Sequence, residues 1–114
     1  MLAAAPGTAL VLLSSQPSTV SIEGAQRAML DVLDGRRITL IKLDGALPEN
    51  KDARAALWAV SGKRAVYPQL FLRLRNGEHE FLADAEAFSV LVECNEVDGR
   101  LDAMCARFDR EPAA

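Results

Sequence analysis

Tyr67-Pro68-Gln69-Leu70-Phe71-Leu72-Arg73-Leu74-Arg75-Asn76-Gly77-Glu78-His79-Glu80-Phe81-Leu82 is the stretch on which the fold turns. From Gln69 to Arg75 it alternates, with Leu70, Leu72 and Leu74 on one side and Phe71, Arg73 and Arg75 on the other. That is the period of two that a strand produces. The run ends at Asn76-Gly77. Both central residues of a two-residue type I′ turn need positive φ, which Asn and Gly adopt most readily, so Glu78 to Leu82 is expected to return antiparallel. Pro68 has no N–H to offer a ladder, which suits the first position of a strand.

Upstream of the hairpin the pattern changes period twice. Thr8 to Leu13 is a short apolar run bounded by Ser14, Ser15, Gln16 and Pro17, as a fully buried strand would be. Ile22, Ala25, Met29, Val32 and Leu33 then recur at helical spacing, with Gly35 placed to cap the end. Ile38 to Leu43 is rich in β-branched residues and Leu and stops at Asp44-Gly45, which reads as a second strand. A second helical stripe follows in Ala53, Ala56, Leu57 and Val60, with Trp58 beside it, Asn50 as N-cap and Gly62 as stop. Beyond the hairpin, Asp84 is placed to cap a third helix burying Phe88, Leu91 and Val92, and Leu101, Met104, Cys105 and Phe108 form a last short stripe. The order is β-α-β-α-β-β-α with a short terminal helix: a parallel unit of fixed hand, then an antiparallel hairpin and a closing helix.

The chain has 114 residues, half of them hydrophobic and a quarter charged, which suits one domain over 1–114 with a core of about residues 8–108. The net charge of -3 and the lack of any basic run argue against nucleic acid. Met1 to Ser15 has no Lys or Arg to start a signal peptide, and Ala9 to Leu13 is too short to span a membrane, so a cytoplasmic protein is expected. Cys94 and Cys105 lie eleven positions apart, without the spacing of a metal knuckle or a dithiol. They read as packing thiols on helices.

In this element order the first strand delivers the chain to the N-terminus of the first helix, where N–H groups and the helix dipole favour a thiolate. Here that loop is Ser14, Ser15, Gln16, Pro17, Ser18 and Thr19. A serine hydroxyl without a base stays protonated, and the single histidine, His79, sits beside the hairpin turn. Neither disulfide exchange nor serine hydrolysis is expected. The fold context favours a cis Tyr67–Pro68 bond although trans is the commoner form, and this would turn the main chain of Tyr67 outward to pair with an extended peptide.

Tyr67-Pro68-Gln69-Leu70-Phe71 resembles the Val-Pro-Gln-Val-Phe segment of glutaredoxins, whose proline is cis and whose preceding residue pairs with the glutathione backbone. Leu82 to Phe88 resembles the Gly-Asp-Tyr-Asp-Ala-Phe segment of the SH3-binding glutamic-acid-rich-like family, and Glu93-Cys94-Asn95 resembles that family's Glu-Asn-Asn. The serine-rich loop fits the same family, a glutaredoxin-like branch without the active-site cysteines. The resemblance runs from about Leu10 to about Leu101. It implies an α/β thioredoxin-like fold of the glutaredoxin type, with a central mixed four-stranded sheet flanked by helices, and binding of a protein or peptide without catalysis. The groove it implies lies between Ser14, Ser15, Gln16, Pro17 and Ser18, the corner Tyr67 and Pro68, and the helix start at Ala83 and Asp84.

Two departures limit what the resemblance carries. Arg64-Ala65-Val66-Tyr67-Pro68 has one proline and no Pro-x-x-Pro spacing, so SH3 binding does not transfer. The glutaredoxin Gly-Gly pair is Ala83-Asp84 here, which obstructs close backbone approach and adds a negative charge, so glutathione binding is expected to be weak or absent and no cofactor is expected. The rival reading is a glutathione-binding or thiol-dependent redox protein using Cys94 or Cys105, and a third is an assembly domain with an empty groove. Lys63 and Arg64 are placed either to grip a carboxylate at the groove's edge or to end the second helix in solvent. Arg73 and Arg75 are expected to face Glu78 and Glu80 across the hairpin, Trp58 and Phe81 to pack at the core or its rim, and His79 to be exposed.

Overall fold

A computed structural model of the chain describes residues 8–34, 40–73 and 78–97. The described elements are β1 (Ala9–Leu13), α1 (Val20–Asp34), β2 (Leu40–Asp44), α2 (Lys51–Ser61), β3 (Gln69–Arg73), β4 (His79–Asp84) and α3 (Ala85–Glu93), with a single 3₁₀ turn, Pro48–Asn50, leading into α2. The expected cap at Gly35, the Asn76-Gly77 turn and the stripe Leu101, Met104, Cys105 and Phe108 lie outside the described residues.

The sheet order is β2-β1-β3-β4. β1 runs parallel to β2 and antiparallel to β3, and β3 runs antiparallel to β4. The order of elements and this mixed sheet fit the thioredoxin-like arrangement. The two central strands are covered on both faces, so Ala9 to Leu12 and Gln69 to Leu72 are all buried. This is why β1 reads as a continuous apolar run and not as an alternation.

The pleat divides the core. Ala9, Val11, Leu70 and Ala83 pack with Met29 and Leu33 of α1, Phe88 of α3 and Val97. On the opposite face Leu10, Leu12 and Phe71 meet Leu57 of α2, with Trp58, Tyr67 and Phe81 at the margin, as the sequence implies for Trp58 and Phe81. The stripe read on α2 is narrower than expected, because Leu57 is buried while Ala53, Ala56 and Val60 are exposed. One helix cannot cover four strands, and its flanks stay in solvent. Val92 of α3 is likewise 43% exposed, so the buried face of that helix rests on Phe88 and Leu91.

Local chemistry sets the helix ends. Thr19 Oγ1 accepts the N–H of Ile22 at 3.1 Å at the start of α1. Asp84 Oδ1 accepts the N–H of Ala87 at 2.9 Å at the start of α3, as its position predicts. Gly62 ends α2 with φ 71°, a left-handed conformation for which glycine lacks the Cβ penalty. Asn50 holds the N-cap position of α2 but caps nothing with its side chain, which instead donates from Nδ2 to the carbonyl of Asp44 at 3.0 Å.

Candidate functional site

Strand register decides where the candidate residues meet. Leu12 lies opposite Gln69, and Gln69 lies opposite Asp84. The exit of β1, the entry of β3 and the exit of β4 therefore share one end of the sheet, and α1 and α3 both begin there. Ser14 to Ser18, Tyr67, Pro68, Ala83 and Asp84 fall at that end.

Ser14 is buried and fully used. Gln26, reaching up from α1, accepts the Ser14 N–H at Oε1 (2.7 Å) and donates from Nε2 to the Ser14 carbonyl (3.0 Å). The Ser14 hydroxyl oxygen accepts the N–H of Gln16 at 3.1 Å. The N–H of Ser15 donates to Asp44 Oδ1 at 3.0 Å, and the same oxygen takes the N–H of Ala46 at 2.9 Å, so Asp44 ties the β1–α1 loop to the turn after β2. Burial pushes the Asp44 carboxyl up, but the hydrogen bonds from Ser15 and Ala46 outweigh it and hold the group below its ordinary value. Gln16 and Ser18 are exposed and Pro17 is half-buried.

The capture of Ser14 by Gln26 has a consequence across the sheet. Continued by two residues, the β1–β3 ladder would set Ser14 opposite Tyr67, but both main-chain groups of Ser14 are already taken. Tyr67 is left with no hydrogen-bond partner for its N–H or carbonyl among the described residues. The Tyr67–Pro68 peptide bond is cis. The Tyr67 ring turns toward α2. A Cβ on Gly45 would stand 2.8 Å from Tyr67 Oη and 3.0 Å from its Cε1, and the ring meets Trp58 edge-on at 6.4 Å. Gly45 is thus required by the close approach of that ring.

Gln69, completely buried, donates from Nε2 to the carbonyls of Lys63 (2.7 Å) and Val66 (2.8 Å) and so holds the loop before β3. Lys63 Nζ lies 3.3 Å from Asp84 Oδ2. The N–H of Ala87 first, and then Lys63, hold the Asp84 carboxyl below its ordinary value against partial burial. Lys63 is therefore an ion-pair partner of the helix cap, and Arg64 lies over the Trp58 ring at 5.9 Å, with Arg54 at 4.7 Å.

Two candidates fall inside the core. Ala83 is 1% exposed in the cluster with Phe88, and Pro68 is buried, so neither side chain lines an open groove. Ser15, Gln16 and Ser18 are exposed, and Tyr67 and the Lys63–Asp84 pair are partly so. Arg73 faces His79 and Leu72 faces Glu80, so the expected pairing of Arg73 with an acidic residue directly opposite is not formed. His79, expected to be exposed, is half-buried against Phe71. Cys94 is exposed at the C-cap of α3, a nine-residue helix that carries it about 14 Å along the axis from Asp84. Cys105 lies outside the described residues. Among the described residues no group of three or more His, Cys, Asp or Glu is placed to hold a metal, and no helix is long and apolar enough to cross a membrane.

Sequence reasoning missed Gln26, Asp44 and Gln69, the three side chains that shape this end of the sheet. Gln26 gives a faint signal, since it interrupts an apolar stripe between Ile22 and Met29. Gln69 and Asp44 give none, because their partners are main-chain groups brought near only by folding. No protein-family model matches the chain, and no curated protein matches it either.

Proposed function

We propose that the protein is a non-catalytic, glutaredoxin-like binding module that takes an extended peptide segment of a protein partner at the Tyr67 end of its sheet. The observation that carries this reading is the Tyr67 main chain, left without a ladder partner because Gln26 occupies Ser14. A strand end with a free N–H and carbonyl accepts a peptide by main-chain pairing, and neighbouring side chains supply selectivity. Ser15, Gln16 and Ser18 offer hydroxyls and an amide on one side, and the Lys63–Asp84 pair offers charge on the other. The absence of a cysteine from Ser14 to Thr19 speaks against thiol exchange at this position. The alternative, glutathione binding with thiol-dependent chemistry, would have to employ Cys94 from the far end of α3, or Cys105.

The test is an amide NMR titration of the whole chain with two probes, the neutral tetrapeptide acetyl-Thr-Val-Thr-Val-amide and reduced glutathione. Saturable shifts at Tyr67, Ser15 and Asp84 with the tetrapeptide, and weaker ones with glutathione, are expected. No response of Tyr67 to the tetrapeptide at millimolar concentration overturns the reading. Preferential glutathione binding accompanied by a mixed disulfide at Cys94 replaces it with the redox alternative.

A further inference from the structure

The α1–α3 face carries a second feature, independent of the Tyr67 end. A groove of about 270 Å³ runs along the seam between the two helices. From α1 it is lined by Ala25, Ala28, Met29 and Val32, which follow one another at i, i+3, i+4 and i+7. From α3 it is lined by Ala85, Phe88, Ser89 and Val92, at the same spacing. Met29 and Phe88 are buried in the core cluster, whereas Ala28 and Ser89 are exposed and Val92 is 43% exposed. Each lining stripe is about 10 Å long. Both helices begin at the same end of the sheet, so Ala25 and Ala85 lie toward that end and Val32 and Val92 away from it.

The end of α3 directs the chain back to this face. Asn95 takes a left-handed φ of 56°, and the N–H of Glu96 returns to the carbonyl of Leu91 at 2.8 Å, which closes the helix and reverses the main chain. Val97 is then buried with Met29, Leu33 and Phe88, so the last described residue is anchored near the Val32–Val92 end of the groove. Only Asp98-Gly99-Arg100 separate Val97 from Leu101. Leu101, Met104, Cys105 and Phe108, outside the described residues, repeat the i, i+3, i+4, i+7 spacing of both lining stripes, and Asp102 and Arg107 fall off that face. The groove's short alanine and serine walls leave room that long apolar side chains can fill.

We propose that residues 101–108 fold back as a helix along this groove, antiparallel to α1 and α3, with Leu101, Met104, Cys105 and Phe108 turned into it. Three extended residues cover about 10 Å, enough to reach the groove from Val97. So short a tether holds the stripe at an effective concentration on the order of millimolar, well above that of a second chain in dilute solution. Leu101 meets the Val32–Val92 end, and Phe108 meets Ala25 and Ala85.

The test reads nuclear Overhauser contacts in the isotope-labelled full chain. Contacts of the Phe108 ring with the methyls of Ala25 and Ala85, and of Leu101 with Val32 and Val92, are expected, and a mixture of labelled and unlabelled chains should show none of them between molecules. Ala28→Glu, at an exposed position of α1, puts a charge into the groove and should abolish the contacts while leaving the amide shifts of the sheet in place. With Cys94→Ser as background Cys105 is the only thiol, and Ala28→Glu should speed its modification by a disulfide reagent about tenfold. The proposal is overturned by absence of the contacts, by contacts found only between labelled and unlabelled chains, which would seat a second copy in the groove, or by a Cys105 rate that the folded Ala28→Glu variant leaves unchanged.

Discussion

The two faces of the sheet are built differently. On the α1–α3 face, two helices enclose an aliphatic core of Met29, Leu33, Leu70 and Val97 closed by Phe88, and its one buried polar side chain from a helix, Gln26, is fully paired with Ser14. A groove of about 270 Å³ runs between those helices, but none of the side chains lining it has an unpaired buried polar atom. On the α2 face, a single helix lies against the same sheet and leaves part of it uncovered. Every buried side-chain polar atom found without a partner among the described residues belongs to it or to a residue facing it: Arg54 Nε, Trp58 Nε1, Gln69 Oε1, Arg73 Nε and His79 Nε2. Two helices suffice to close most of a four-stranded sheet, whereas one leaves a margin of aromatic and polar groups.

Core truncation should separate the two faces most strongly. Phe88→Ala should cost about 3–5 kcal/mol, because a whole ring is lost from the buried cluster with Met29, Leu33 and Leu70. Leu57→Ala should cost only about 2 kcal/mol, since that side chain already borders an open cleft. Urea unfolding measures both, and equal costs would mean that the α2 face is as tightly closed as the other.

Next in size is Gln26→Leu. It strips both main-chain groups of buried Ser14 of their partner and should cost about 2 kcal/mol. Faster hydrogen exchange at the Ser14 amide would accompany the loss. Unchanged exchange there would show that Ser14 finds another partner, and Tyr67 is the group within reach of its register.

Gly45→Ala drives a methyl into the Tyr67 ring and should cost about 1–2 kcal/mol, with a change in Trp58 fluorescence as the neighbouring ring is displaced. Retained stability and an unchanged spectrum would mean that the Tyr67 ring swings away freely, and that the α2 margin is looser than described.

Asp84→Ala should cost about 1 kcal/mol at neutral pH through loss of the helix cap. The folded-state pKa of Asp84 is depressed, so its contribution is full above the ordinary value of 3.8 and is lost as pH falls through the lower folded value. The difference between variant and parent should therefore shrink in acid, as followed by thermal melts against pH. The smallest effect belongs to His79. Its folded pKa is also depressed, so the unfolded chain takes up a proton first and stability declines as pH falls below 6.5. His79→Gln should flatten that part of the profile, and an identical slope in both proteins would mean that the ring is solvated and not held in the α2 margin.

What was readable from the sequence was what depends on neighbours in the chain. Alternation from Gln69 to Arg73, helical spacing from Ile22 to Leu33, the stop at Gly62 and the cap at Asp84 are each set by backbone geometry and side chains within a few residues. The element order followed from them, and the order admits few topologies. The lack of a thiol in the Ser14 to Thr19 loop was equally plain, because a missing residue type needs no structure to be noticed.

Only the tertiary structure decided how that end of the sheet is wired. Gln26 reaches Ser14 across twelve positions and Asp44 reaches Ser15 across twenty-nine, and no local pattern encodes a partner at such a distance. The Tyr67 ring went to Gly45 and Trp58 and not into the groove, because packing space is settled by which helix lies alongside. Ala53 and Ala56 read as part of a buried stripe, yet they border a cleft. Spacing tells which residues share a helical face, while burial depends on whether the side chains on that face are long enough to meet the sheet beneath.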